Sequence, residues 1–305
     1  MRIFITGGTG FIGIHLCKKL LELGYTVTVY DNFSNSSQEN FLSIIKNKTD
    51  LIFGDILDTS KLSSAMKDHD VVIHLAAQIS VSESIKNPKF TFETNVQGTQ
   101  NVLNACLENK IKKIIATSTA AVYQNVLSKT ILNESSPIEP LSPYGVSKLE
   151  MENKIINFAS SNQVDAIILR LFNVYGVGQS IEYAGVITKF LFDIKNNNSL
   201  TIFGNGDQTR DFVHINDVVN SIVLSLENTS LGIYNIASGN SISILNLAKL
   251  MIKQSEKNLD ILFTPSRSGE ILFSNASILK ANKQLGFIPQ LQISEGLKLL
   301  KNNPY

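Results

Sequence analysis

Tyr144 and Lys148 are the residues in this sequence best placed to move a proton. They stand four apart just after Ser142-Pro143, which reads as a helix N-cap followed by a first-turn proline, so the two side chains share one helix face. A free tyrosine titrates near about 10 and is a poor base at neutral pH. A neighbouring positive charge, from an ammonium or the ring of a bound cofactor, would favour the phenolate and lower that value. Lys148 can also hold the ribose of a bound cofactor. On its own, Tyr-x-x-x-Lys is a common surface pairing, so the rest of the chain has to supply the context. A third group comes from Thr117-Ser118-Thr119, which follows the apolar run 113–116. A hydroxyl there can hydrogen-bond the oxygen from which a hydride-bearing carbon loses its proton, and Thr119 is the stronger candidate.

The context is supplied by residues 1–13, MRIFITGGTGFIG. Ile3-Phe4-Ile5 reads as a strand, and Gly7, Gly10 and Gly13 follow at three-residue spacing. Leu16, Leu20 and Leu23 then recur at helical spacing until Gly24. A strand, a glycine turn and a helix N-terminus make an anion site: the backbone can approach a pyrophosphate, and the helix dipole favours its charge. Phe11 and Ile12 lie inside that turn. The next apolar run, Val27-Thr28-Val29-Tyr30, ends in Asp31, eighteen residues past Gly13. A carboxylate there accepts from an adenosine ribose and repels a 2′-phosphate, so NAD is expected rather than NADP.

Polar or small residues end further strand-like runs: Gly54-Asp55 after Leu51-Ile52-Phe53, Ala76-Ala77 after 71–75, and Asn173 after 164–172. A long helix is expected between Phe90 and Asn109. Strand and helix patterns that alternate in this way imply a doubly wound parallel sheet, an α/β fold of the Rossmann type. Ligands in such sheets collect at the carboxyl ends of the strands. Beyond Phe172 the alternation loosens, and glycines and the turn 196–199 punctuate shorter elements. The expected organisation is a dinucleotide domain over 1–172 and a smaller mixed α/β substrate domain over 173–305, with some segments returning to the first.

The composition narrows the classes. The chain has 305 residues, long enough to bury a substantial core, and 27 basic residues against 26 acidic. That balance, without a basic run, argues against nucleic acid and anionic membrane partners. No apolar stretch is long enough to span a bilayer, and residues 1–13 are expected to be fold rather than leader. Cys17 and Cys106 lack CxxC spacing and read as small buried residues of a cytoplasmic protein. The four histidines are scattered, so no metal is expected.

Taken in order, these motifs resemble the extended short-chain dehydrogenases/reductases of the NAD-dependent epimerase/dehydratase family, and most of all the UDP-hexose 4-epimerases. The resemblance runs through GGTGFIG (7–13), Asp31-Asn32, Gly54-Asp55-Ile56, His74-Leu75-Ala76-Ala77, Asn95, TSTAAVY (117–123), YGVSK (144–148), LFNVYG (171–176), GNGDQTRDFVHINDV (204–218) and RSGEI (267–271). It implies that Asp31, Asn32, Asp55 and Ile56 surround the adenosine, and that Leu75, Ala76, Ala77, Asn95, Thr117 and Phe172 complete the cofactor site. It places Thr119, Asn173, Val186, Arg210, Arg267, Glu270 and Ser274 on the nucleotide sugar. Two guanidinium forks suit a diphosphate. A homodimer paired through the helices that follow Phe90 and Tyr144 is implied in the same way.

Ala120 and Ala121 stand where the sugar dehydratases of the family carry an acid pair and the decarboxylases a glutamate, so the resemblance implies chemistry confined to C4. Ser274 falls where epimerases restricted to non-acetylated sugars carry a tyrosine, leaving room for an N-acetyl group. The chain departs from the family pattern at Gln124, at VYGVGQ (174–179) and at Ser277. A reductase of 4-keto-6-deoxy nucleotide sugars and a non-catalytic NAD sensor remain as alternative readings.

Overall fold

The computed structural model describes every residue except 46–47, 127–129, 180–184, 230, 267–270 and 303–305. In chain order the strands are β1 Arg2–Thr6, β2 Thr26–Asp31, β3 Asp50–Phe53, β4 Val71–His74, β5 Lys113–Thr119, β6 Ile131–Leu132 and β7 Asp165–Leu171. They continue with β8 Asn173–Tyr175, β9 Leu200–Phe203, β10 Thr209–His214, β11 Gly232–Ile236, β12 Ser241–Ser243, β13 Ile261–Thr264 and β14 Asn275–Ala276. Seven of them form one sheet in the order β11-β7-β5-β4-β1-β2-β3. The pairs β1–β2, β2–β3, β1–β4 and β4–β5 are parallel. Strands of this sheet read as continuous apolar runs because both faces are covered: Ile3, Phe4, Ile5, Val72, Ile73, Ile114 and Ile115 are all buried.

The chain order reverses at β1, which pairs with β2 on one side and β4 on the other. Thr6 is thereby set against both Tyr30 and His74. A crevice at the strand ends beside such a reversal is where an open α/β sheet binds its ligand. Phe11–Glu22 packs on Gln38–Ile45, and Thr59–Ala65 packs on Gly98–Glu108, which packs in turn on Pro143–Asn162. This is the doubly wound Rossmann-type α/β fold.

Two local expectations needed adjustment. The first helix buries Leu16, Cys17 and Leu20 but ends at Glu22, so Leu23 is its C-cap and is exposed. Gly24, at φ +81°, then turns the chain. The stretch expected as one long helix is Pro88–Phe92, a π-helical turn Glu93–Gln97, and Gly98–Glu108. The wider turn re-aims one side chain of the run, and the buried Asn95 lies within it.

The chain divides into two compact units. The first comprises Met1–Val122, Pro140–Arg170 and Val219–Tyr234; the second comprises Tyr123–Glu139, Leu171–Val218 and Asn235–Tyr305. The first has a core around Phe4, Leu62, Val72, Leu103, Ile114 and Met151. The second builds its own around Tyr175, Phe190, Leu200, Leu247 and Met251, under short sheets that pair β8 with β10 parallel and β10 with β12 antiparallel. Cys17 and Cys106 are buried free thiols, and burial pushes both up to about 12, so they stay protonated. Among the described residues no helix is long and apolar enough to cross a membrane, and no cluster of His, Cys, Asp and Glu could hold a metal.

Candidate active site

In the first unit the glycine turn is built for close backbone approach. Gly7 has φ +72°, and a Cβ on it would lie 2.5 Å from the Ala76 nitrogen, so the turns after β1 and β4 touch through backbone alone. A Cβ on Gly13 would overlap the backbone of Gly8. Gly10 is the N-cap of Phe11–Glu22 and brings no side-chain cap bond. The amides of Phe11, Ile12 and Gly13 therefore have neither an intrahelical nor a capping partner, as an anion-binding helix start requires. Asp31 is tied to this turn: its Oδ2 accepts from Thr9 N at 3.0 Å and its Oδ1 from Phe33 N at 2.8 Å. Asn32 Nδ2 donates to Asp55 Oδ2 at 2.9 Å, and Tyr30 Oη donates to the Asp55 carbonyl at 2.9 Å. Ile56 is buried, and its carbonyl accepts from Asn101 at 3.0 Å. Leu75 N donates to Thr6 O at 3.0 Å, which sets Leu75-Ala76-Ala77 beside the turn.

Ser142 caps the helix Pro143–Asn162, its Oγ accepting from Gly145 N at 3.1 Å, with Pro143 in the first turn as its sequence implies. Tyr144 and Lys148 follow on one face. Tyr144 is hydrogen-bonded to Thr119, the last residue of β5. Burial raises its phenol above the ordinary value of 10.0, and the bond to Thr119 opposes that rise. Lys148 does not lower the phenol in the protein alone; its Nζ donates to Met151 Sδ at 3.2 Å. Burial pulls Lys148 down to about 8, against the raising effect of Glu152. It still carries its proton at neutral pH. Ser118, the other candidate hydroxyl, faces away and donates to Glu152 Oε1 at 2.5 Å. Thr117 is buried.

In the second unit, Phe172 is buried and packs on Tyr123 at a ring separation of 6.4 Å. Asn173 donates to the Asp211 carbonyl at 3.1 Å. Arg210 is partly exposed, its Nη1 donating to Thr209 O at 2.8 Å. Val186 opens the helix Val186–Lys195 and packs on that unit's core. Ser274 is buried, and its neighbour Phe273 lines a cavity of about 650 Å³ together with Asp207, Thr209, Ile242 and Asn246. Arg267 and Glu270 lie outside the described residues.

The profile of the NAD-dependent epimerase/dehydratase family matches residues 3–237. The chain belongs to that family. It is 36% identical over 304 residues to a Methanocaldococcus jannaschii protein provisionally assigned as a UDP-glucose 4-epimerase, covering 98% of this chain and 97% of that one. The structure superposes on the UDP-glucose 4-epimerase of Thermotoga maritima, solved with UDP-glucose, at a TM-score of 0.93 with 32% identity, covering 98% and 97% of the two chains. It superposes on a UDP-N-acetylglucosamine 4-epimerase of Methanobrevibacter ruminantium, in complex with UDP-N-acetylmuramic acid, at 0.92 with 33% identity, covering 99% and 98%.

Membership of the family makes this an NAD-dependent enzyme of the nucleotide-sugar epimerase kind. The glycine turn fits that cofactor, since the crowding at Gly7 and Gly13 and the uncapped amides are features a dinucleotide pyrophosphate needs. Two sets of buried contacts behind the site escape a reading by motif. Glu152, 1% exposed, takes a bidentate grip from Arg170, 3% exposed, with Nε–Oε1 at 3.0 Å and Nη2–Oε2 at 2.7 Å. The second set is a chain of buried polar groups from Thr6 through His74, Thr99 and Asn95 to Ser147. Both rest on contacts far apart in sequence. The local traces are His74 and Asn95, which fall within the family motifs, and Glu152, on the Tyr144–Lys148 face at the next four-residue step.

Proposed function

We propose that this protein interconverts the C4 epimers of a UDP-hexose through a transient 4-keto sugar, and that it accepts a 2-acetamido substituent. The observation that carries the reading is the pairing of Tyr144 with Thr119 at the end of β5, with a buried, protonated Lys148 one helical turn further on. When bound, NAD supplies the hydride acceptor, and then the donor, at C4. Tyr144 takes the proton of the C4 hydroxyl and later returns it, while Thr119 holds the same oxygen. Lys148 contributes the positive charge that favours the phenolate and a donor to the nicotinamide ribose.

In this reading Gly7, Gly10, Phe11, Ile12 and Gly13 hold the pyrophosphate. Asp31, Asn32, Asp55 and Ile56 hold the adenosine, and Leu75, Ala76, Ala77, Asn95, Thr117 and Phe172 line the remainder. Arg210 and Arg267 grip the substrate diphosphate, Glu270 the nucleoside ribose, and Asn173 and Val186 the sugar nucleotide. The tethered 4-keto sugar can then turn over between the two hydride steps. Ala120 and Ala121, in the 3-10 turn Ala120–Val122, offer no proton for a dehydration. Exposed Ile85, Phe90 and Ile156 support pairing of two copies through their helices, and the two protonated buried thiols suit a cytoplasmic setting.

The test is incubation with UDP-, dTDP-, GDP- and CDP-sugars, following epimeric products and the fluorescence of reduced cofactor on the protein. The protein should carry NAD through purification, need none added, and turn over UDP-glucose and UDP-N-acetylglucosamine. Ser274→Tyr should cost roughly ten- to a hundredfold on the acetylated sugar, the price of about 1–3 kcal/mol of overpacking, and largely spare UDP-glucose. Equal losses on both sugars would remove Ser274 as a gate. Stoichiometric consumption of added reduced cofactor by a 4-keto sugar would replace the epimerase with a reductase.

A further inference from the structure

The Glu152–Arg170 pair is buried almost completely, and burial of that kind is not obviously an asset. Desolvating two charges costs so much that apolar replacement of a buried pair is often neutral or stabilising. This pair nonetheless lies directly behind the proposed proton-transfer residues. Tyr144, Lys148 and Glu152 recur at four-residue steps and so line one face of a single helix. The end of β5 grips that face at both extremes: Thr119 bonds Tyr144, and its neighbour Ser118 donates to Glu152 at 2.5 Å. Arg170, from β7 beyond, closes on the same carboxylate through both oxygens. Lys148 sits between the two attachment points.

We propose that Glu152 is a positioning residue of this site: clamped by Arg170 and Ser118, it holds the helix in register with β5 and supplies the fixed negative charge that Lys148 faces. The proposal rests on the reading that Tyr144 and Lys148 carry the proton transfer. Tyr144 and Glu152 flank it on its own helix, His74 of β4 is held neutral at about 3 by burial, and the Arg170 guanidinium is taken up by Glu152. Burial alone favours a neutral amine at Lys148, and Glu152 opposes it. Without the carboxylate charge, Lys148 gives up its proton at lower pH, and with cofactor bound the phenol loses the positive charge that favours its ion and so ionises at higher pH.

The test is Glu152→Gln in the NAD-bound enzyme. It should lower kcat by about tenfold or more with little change in KM. It should also move the acid limb of the pH–rate profile upward by about one pH unit. The tyrosinate absorbance that Tyr144→Phe removes should titrate upward by the same amount. Because an unpaired Arg170 can prevent folding, Glu152→Gln with Arg170→Met is made beside it and should show the same shifts. Glu152→Asp, which keeps the charge, should keep the wild-type titration. Wild-type profiles and titration in a folded Glu152→Gln or double variant would overturn the proposal and leave an ordinary structural ion pair. The tyrosinate titration needs no substrate, so a protein that turns over no nucleotide sugar would sink the functional reading and still test Glu152.

Discussion

Tyr144 sits where its ion is costly. Burial raises the phenol, and only the bond to Thr119 works the other way in the protein itself. In the proposed mechanism, positive charge from Lys148 and from the bound cofactor is what lets the phenolate form near neutral pH. Tyr144→Phe removes the proposed proton carrier and one hydrogen bond while leaving the ring in place. Turnover should fall by on the order of a hundred- to ten-thousandfold, with NAD content per chain and melting temperature close to wild type. Retention of activity in that variant would take Tyr144 out of the mechanism. The residue types and spacing were readable in advance, since Ser142, Pro143, Tyr144 and Lys148 are local neighbours on one helix. The preference for Thr119 over Ser118 was readable as well, but the group that takes up Ser118, the Glu152 carboxylate, was not. Adjacent strand residues point to opposite faces, and only packing decides which face meets Tyr144 and which meets Glu152.

At the scale of elements, the turn after β1, the strand β4 and the helices beyond are joined by one buried run of hydrogen bonds. Thr99 Oγ1 donates to the Asn95 carbonyl at 2.7 Å, so it must accept from His74 Nε2 at 2.9 Å. His74 is then the Nε2–H tautomer, and its Nδ1 accepts from Thr6 Oγ1 at 2.7 Å. Burial holds the ring near about 3, so it stays neutral and the direction of the run is fixed. The π-helical turn presents Asn95, whose amide donates to Ser147 Oγ at 2.9 Å and accepts from Gln78 N at 2.8 Å. Ser147 in turn donates to the Tyr144 carbonyl at 2.8 Å. Thr99→Val leaves the His74 N–H without an acceptor and should cost about 1–3 kcal/mol, read from urea unfolding midpoints, whereas Thr99→Ser should be nearly neutral. Equal stability of the Val and Ser variants would show that the hydroxyl carries no weight. The strands and the glycine turn were legible as apolar runs and spacing. The π-helical turn was not, because a one-residue widening leaves the apolar positions of the stretch looking like ordinary helix.

For the molecule as a whole, the site residues set against burial should leave a mark on stability. Lys148 titrates near 8 in the folded protein against 10.5 when free. Between those values the unfolded chain holds the proton that the folded chain has released, so this group's contribution to stability rises with pH across that window. Below about 8 the folded state bears the full cost of a buried ammonium. Asp211, in the second unit, has the opposite sense: burial raises it from 3.8 to about 6, so its contribution falls as pH rises through that range and is constant above it. His74, lowered from 6.5 to about 3, contributes stability that is lost as pH drops from 6.5 toward 3. Above pH 7 only Lys148 among these three still titrates. Lys148→Met, similar in length and without charge, should therefore raise stability at pH 7 by on the order of 1–3 kcal/mol, an advantage that shrinks toward pH 10. The same variant should lose catalysis, as expected where a site keeps a charge the fold would sooner be without. Urea midpoints at matched NAD content, taken at pH 7 and pH 10, check it, since bound cofactor itself stabilises the folded state. A midpoint for Lys148→Met that is lower than wild type at pH 7, or a difference that does not change with pH, would mean that the ammonium's interactions with Glu152 and Met151 outweigh its desolvation.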